Sequence, residues 1–448
     1  MLVDLSHPVA RRSRLTKLAA AALWSVFAAL TSVYVYMAVA LPGGPDGMSD
    51  LHVYVGAVQT MLGGGSLYDF ASFNGDRFLY PPFAGLAFAP FLAMPEPVLR
   101  VAWTLLQCAE AAVLAWAVAA QAPVVGSRTR PHHGPNTQPC SADQAPQRHP
   151  GSTRQPSTDG PTPQTVLGLA AQQPGSVVGT RVPGYACLLL LTQPVFTGIF
   201  LGQVSLLITL LALLDALDLT PRALRGVPTG VAAAIKLTPL AFIPYLWMTG
   251  RSRAAATAAG TFMLCTVAAG LAAPADSVRF WGSALSAPDF VNLAQADNQS
   301  IHGFLARMGW TGLGGAAVAV AVAVAVTWLG YRRSRHAHRG GQTLAGAVIV
   351  GAMVVVLSPI SWSHHQTTLV IAAACVVGWR LALLRRIWPL ACYALMTIPY
   401  QWVLPDVWPS GVWLTDNLGL LLALVIACAV PFVSPESSPR PAASRVRA

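Results

Sequence analysis

The chain alternates long apolar runs with short polar joints. A membrane-crossing helix needs about 20 mostly apolar residues in succession. Candidate spans lie at 18–41, 83–95, 98–121, 185–200, 203–219, 227–248, 254–273, 311–330, 342–360, 366–384, 388–404 and 416–433. Several are short, and Pro and Gly interrupt others, as in Met94-Pro95-Glu96-Pro97. Such pieces are expected to dip into the membrane and return, with their irregular backbone shielded by protein. The pattern predicts an all-α, polytopic transmembrane bundle of roughly ten to twelve membrane helices. The first run, Leu18 to Leu41, is too long for the core of a signal peptide and lacks a clear cleavage site, so it reads as a retained anchor.

The joints orient the spans. Basic residues cluster at Arg11-Arg12-Ser13-Arg14, Arg251-Ser252-Arg253, Arg332-Arg333-Ser334-Arg335 and Arg385-Arg386. Lys and Arg favour the cytoplasmic flanks of spans. The N-terminus is therefore expected inside and 42–82 outside. The stretches near 220–226, 250–253, 331–340 and 380–387, with the Arg-bearing tail, read as inside; 274–305, 361–365 and 405–415 read as outside. One conflict follows. With both 222–225 and 251–253 inside, 227–248 cannot be one crossing. It is predicted to be a broken or re-entrant pair, bent at Lys236-Leu237-Thr238-Pro239.

Composition agrees with lipid as the main solvent. The chain of 448 residues is 54% hydrophobic and 10% charged, against about 25% charged in soluble domains. The net charge of +11 would suit nucleic acid, but its placement in short clusters between apolar runs fits membrane flanks instead, and no nucleic-acid partner is expected. Most of the seven cysteines lie inside apolar runs and none forms a CxxC pair, so they read as small buried hydrophobes. Residues 122–181 differ in kind. They are rich in Pro, Ser, Thr, Gln, Gly and Arg and too poor in apolar surface to fold. The expected organisation is N-terminal helices over 1–121 with an outer loop at 42–82, a disordered insert at 122–181, a helical body over 182–434 and a disordered tail at 435–448. An internal repeat of the inverted-transporter kind is not visible.

Charges near lipid need a reason. The first outer loop concentrates them: Asp50, His52, Tyr54, Tyr68, Asp69 and Tyr80, with glycines at 63–65 that permit close backbone approach. Its 51–62 stretch has the spacing of an amphipathic helix along the membrane surface; an interface helix with aromatic anchors and an N-cap aspartate is the plainer reading. A second cluster is Asp297, Asn298, Gln299, Ser300 and His302, with Arg307 nearby. An outer Arg runs against the positive-inside bias and points to an anion partner; a surface loop is the alternative. A third is Ser358–His365. His364 and His365 are neighbours, a poor spacing for metal ligands on a helix, and suit phosphate binding or proton handling better. An interfacial Trp-His belt is its plain alternative. The fourth is Lys236, deep in its run, where lysine costs roughly 2.5–3.5 kcal/mol on insertion scales. It should face a cavity or an anion.

In this order the clusters resemble the actinobacterial polyprenol-phosphate-mannose-dependent α-(1→2)-mannosyltransferases of glycosyltransferase family 87, which have a GT-C membrane fold. The matching stretches are DLHVY at 50–54, GGSLYDF at 64–70, YPPFAGL at 80–86, GQVSLL at 202–207, GVAAAIKLTPL at 230–240 (varied at its start), NQSIHG at 298–303 and SPISWSHH at 358–365. The long insert departs from the family's compact pattern but touches none of these stretches. The resemblance implies a β-linked mannosyl phosphate donor on a polyprenyl lipid, transfer on the outer face of the cell membrane, and inversion to an α-(1→2) linkage. It places the base at Asp50 and the histidine motif at His364 and His365. An inverting transfer needs one carboxylate to take the proton from the attacking hydroxyl. The leaving lipid phosphate needs cations, for which Lys236, Arg307, His364 and His365 are candidates. His52, Tyr54, Tyr68, Tyr80, Asn298 and Gln299 are further substrate-binding candidates. The expected partners are the lipid-linked donor, a mannosylated lipid or lipoglycan acceptor and the bilayer; no cofactor and no metal are expected. A transporter or flippase of lipid-linked sugars shares the polytopic body and the buried lysine, but would hold its essential charges near the midplane.

Overall fold

The computed structural model describes residues 8–40, 47–121, 177–283, 291–310, 312–399 and 411–433. Most of the predicted insert, up to residue 176, and the predicted tail lie outside them. The described residues are helical apart from turns and two isolated bridges, Ala71 with Arg77 and Val377 with Phe432.

Four helices are long and apolar enough to cross a membrane: α1 (Pro8–Ala40, from Arg14), α4 (Glu96–Gln121), α10 (Ser252–Ala272) and α13 (Gly312–Arg339). A fifth span results if α5 (Val177–Leu190) and α6 (Gln193–Leu201), bent by 66° at their break, count as one. Their outward side chains are large and apolar, among them Leu264, Leu271, Leu313 and Trp328, as lipid-facing residues should be. This is a membrane protein. By length and composition, however, full spans among the described residues number four or five, fewer than the ten to twelve expected. The reason is local. The run 83–95 folds as a short helix, α3 (Pro82–Phe88), and a 3₁₀ turn at Ala89–Ala93. The run 366–384 divides into the one-turn α15 (Thr367–Ile371), a 3₁₀ turn at Ala372–Ala374 and the start of α16 (Ala382–Thr397). Apolar content predicts contact with lipid or core, not unbroken helix.

The conflict at 227–248 is resolved by a hairpin. α7 (Ser205–Ala216) runs away from the site described below, and α8 (Val227–Ile235) returns toward it. The chain breaks at Lys236, which is extended, passes through a 3₁₀ turn at Thr238–Ala241, and descends again as α9 (Phe242–Met248). Both ends of the hairpin meet the end of α7. Arg225 and Arg251 lie 3.8 and 3.5 Å from Asp218, and Arg251 donates to the carbonyls of Asp215 and Ala216. The buried Asp215 carboxylate accepts from the amides of Gly226 and Thr229 and from Thr229 Oγ1 at 2.8–3.0 Å. It thereby supplies the acceptor that the first turn of α8 lacks. Gly226 is required there: its φ is +95°, and a Cβ would lie 2.1 Å from the Ala254 carbonyl oxygen. Asp215→Ala strands three buried donors and is expected to destabilise the fold by at least about 1–3 kcal/mol, read as a lower midpoint of thermal unfolding in detergent.

α14 (Thr343–Leu357) lies at the centre, buried on nearly every side and packed on α13, α7 and α18 (Leu418–Cys428). A second, smaller core gathers at one end. There α2 (Ser49–Leu62) buries Leu51, Val53, Tyr54, Ala57 and Val58 with Leu67, Phe78, Tyr80, Phe88, Trp103, Val204 and Ile235. The 51–62 stretch, expected to lie as an amphipathic helix along the membrane surface, is helical, but its apolar face is covered by protein. Helix α11 (Pro274–Ser283) pins the loop from above: Asp276 accepts from Ser66 Oγ and from the Leu67 amide, and Arg279 pairs with Asp69 at 2.6 Å.

Candidate active site

Asp50 is the second residue of α2. Met48 precedes that helix in the left-handed region (φ 55°), with its amide bonded to the Phe200 carbonyl at 3.0 Å. The first turn of α2 is thus held against the end of α6. Gly202 caps α6 at φ +70°, and a Cβ there would lie 2.7 Å from Leu51 Cβ, so only glycine lets the two elements approach. Trp103 Nε1 donates to the Gly202 carbonyl at 2.9 Å and fixes the turn. The next residue, Gln203, is buried and reaches Asp50.

Gln203 joins the charged groups into one network. Its Oε1 lies 3.1 Å from the hydroxyls of both Tyr54 and Tyr80, which are 2.9 Å from each other, and 3.2 Å from Ser205 Oγ. Ser205 Oγ accepts from Lys236 Nζ at 3.3 Å, so its own proton goes on to Gln203. With Oε1 surrounded by hydroxyl donors, the amide nitrogen is left to donate to the Asp50 carboxylate. Burial raises the Asp50 pKa to about 6; the Gln203 hydrogen bond and the Lys236 charge pull it down, and Asp76 adds a small upward push. A carboxylate so placed is ionised at neutral pH yet basic enough to take a proton.

Lys236 leaves the broken end of α8 and lies 5.3 Å over the Tyr80 ring, with Nζ 2.6 Å from His365 Nε2. His365 Nδ1 lies 3.2 Å from the Trp362 amide and the ring also meets the Ile360 backbone, so the tautomer decides which of Lys236 and His365 donates across their contact. The ammonium and the imidazole bring nitrogen donors to one place, where an anionic oxygen would find partners. Beyond the pair runs a slot of about 50 Å³, lined by Ser205 and Ser361 near the charges and by Ile208, Phe242, Val354 and Val355 further in.

The other candidates separate into two groups. His364 is buried edge-on to His365 at 4.4 Å, beside Gly198, and its Nδ1 has no hydrogen-bond partner among the described residues. Tyr54 stacks on Phe88 at 4.4 Å, and Tyr68 donates to the Tyr80 carbonyl at 2.9 Å, holding that residue in place. Asn298, Gln299 and Arg307 are engaged with the chain itself. Asn298 Oδ1 accepts from the Ser361 amide, Gln299 donates to the Ala296 and Asp416 carbonyls, and Arg307 donates to the Gln295 and Asn298 carbonyls and Asn417 Oδ1. These bonds anchor the 358–365 turn that carries the histidines. His52 is exposed on the opposite face of α2, edge-on to Phe70. Gln203 and Ser205 were not among the sequence candidates, although both lie in the 202–207 stretch. Among the described residues no three His, Cys, Asp or Glu side chains gather where they could hold a metal ion.

A half-buried carboxylate, a bridging amide and a lysine-histidine pair thus form one network on a scaffold of lipid-facing helices. The profile of glycosyltransferase family 87 matches residues 78–359, more than half of the chain, and the chain belongs to that family. The matched stretch includes Tyr80, Gln203 and Lys236 and begins after Asp50. A relative from Mycolicibacterium smegmatis, a polyprenol-phosphate-mannose-dependent α-(1-2)-phosphatidylinositol pentamannoside mannosyltransferase, is 27% identical over 91% of this chain and 89% of its own. A second protein of that organism, a polyprenol-phosphate-mannose-dependent α-(1-2)-phosphatidylinositol mannoside mannosyltransferase, is 26% identical over 80% of this chain and 76% of its own. A Mycobacterium tuberculosis protein of the latter description is 28% identical over 42% of this chain and 45% of its own. No solved structure matches the chain.

Proposed function

We propose that this protein is an inverting mannosyltransferase. It moves mannose from polyprenyl phosphate mannose to a mannosyl hydroxyl of a cell-envelope glycolipid or lipoglycan, forming an α-(1→2) linkage on the extracytoplasmic side of the cell membrane. The names of the relatives support the donor, the linkage and a mannosylated lipid as acceptor. The observation that carries the reading is the network with a carboxylate at one end and a Lys-His pair at the other.

In this reading Asp50 takes the proton of the acceptor hydroxyl as its oxygen attacks C1 of the β-linked sugar. The C1–O bond to phosphate breaks, and its electron pair stays on the phosphate oxygen. Lys236 and His365 donate to that oxygen as its charge grows. The leaving group is already a stable anion, so cations serve it better than a proton donor. The apolar slot beyond the pair takes the first part of the prenyl chain. Purified protein in detergent, given labelled donor and a mannoside acceptor, is expected to form an α-(1→2) disaccharide unit. A transporter of lipid-linked sugar would make no glycosidic bond, and that result would overturn the proposal.

Gln203 gives a second handle. The base works ionised, so kcat/KM is expected to fall as pH drops through about 6. The Gln203 hydrogen bond favours the ionised form. In Gln203→Leu the acid limb is expected to move up by about one to two pH units, since a hydrogen bond to a charged group is worth about 1.5–3 kcal/mol. An unmoved limb would sever Gln203 from Asp50.

A further inference from the structure

The charged slot has a larger neighbour. A cleft of about 580 Å³ lies along the other face of α2, within the range of small-molecule sites. At 100° per residue, Asp50, Tyr54 and Val58 share the face toward Gln203, and His52, Val55 and Gln59 share the opposite one. The opposite stripe forms one wall. The second wall is the 72–76 turn, closed by the Ala71–Arg77 bridge and the Ser72–Asp76 backbone hydrogen bond, with Phe73 89% exposed at its tip. The third is the 91–100 stretch, including Phe91 and Glu96. The lining is largely apolar, with Leu51, Val55, Leu92 and Leu99, and carries the hydroxyls and amides of Ser49, Ser72 and Gln59 beside the projecting Phe73 ring, so a sugar chain can meet it with both its apolar ring faces and its hydroxyls.

The cleft and the base are separated by the body of α2 and come together only at its N-terminal end, where Gly47, Met48 and Ser49 line the cleft next to Asp50. From Asp50 to Gln59 the helix rises about 13–14 Å, longer than one sugar ring. We infer that this cleft is the acceptor subsite, holding the inner sugars of an acceptor at least two sugars long, whose terminal residue bends over the start of α2 to Asp50. The inference rests on the glycosyl-transfer reading and adds what it leaves open: the acceptor is recognised beyond its reacting sugar, and Gln59 and Phe73 do the recognising.

The test compares synthetic octyl mannosides of one and three sugars. The unaltered protein is expected to use the trisaccharide with a KM at least tenfold lower than the monosaccharide. Gln59→Trp fills the cleft from an exposed position and is expected to raise the trisaccharide KM to that of the monosaccharide. The KM values for the monosaccharide and the lipid donor should stay within twofold. Phe73→Tyr should retain the length preference and Phe73→Leu should lose it. A length preference untouched by Gln59→Trp would overturn the inference while leaving the enzyme reading intact; so would equal rises in all three KM values, which report distortion. A Phe73→Leu variant as selective as the parent would make that ring a lipid anchor and remove it from the subsite. Absence of any transfer by the unaltered protein would fall on the mannosyltransferase reading and take the subsite with it.

Discussion

Asp50→Asn is expected to lower mannosyl transfer by about 10²–10⁴-fold, the usual contribution of a positioned general base. Asparagine keeps the size of the side chain and can still accept from Gln203, so the second core and membrane insertion should be unchanged. What it loses is a lone pair able to take a proton near neutral pH. Donor KM is the diagnostic control: it should move little, because Asp50 meets the acceptor hydroxyl and not the lipid phosphate. Turnover of the variant with labelled donor at the parental rate would remove Asp50 from the reaction.

Lys236→Gln is expected to reduce kcat by about 10²–10³-fold, the loss seen when a preorganised donor to developing negative charge is removed. Here donor KM should rise as well, since the phosphate is charged in the ground state. Lys236→Arg should recover only part of the rate. The guanidinium is broader than an ammonium, and the space is confined by Ser205, the Tyr80 ring and His365. Steady-state kinetics over both substrates separates the two variants: the base variant loses kcat alone, and the cation variant loses kcat and donor affinity together. If Lys236→Gln matches the parent in both constants, the phosphate sits elsewhere.

Much of this site was legible before any coordinates, for reasons that differ by residue. Lys236 stood out because a charge within an apolar run demands a partner, and the adjoining Thr238-Pro239 marked the break that delivers it. The same arithmetic of basic flanks required the hairpin of α8 and α9. Gln203 did not stand out. An uncharged amide beside a glycine has no signature in hydropathy, and its value comes from four partners, three of them on two distant segments. Arg307, Asn298 and Gln299 illustrate the converse. They are conspicuous as polar groups in a loop, but the structure turns their donors and acceptors toward backbone groups of 295–298, 361 and 416–420. Sequence shows that a polar group needs a partner, not whether the partner is substrate or chain. The count of spans failed to follow for a related reason: hydropathy is blind to the turns that cut an apolar run into pieces.

The hairpin also sets depth. α8 has nine residues and climbs only about 14 Å from the Asp215 end. That is about half of a hydrocarbon layer roughly 30 Å thick, so α8 and α9 form a return and not a crossing. The charge at the tip of that return is met by the chain itself, through Ser205 and His365.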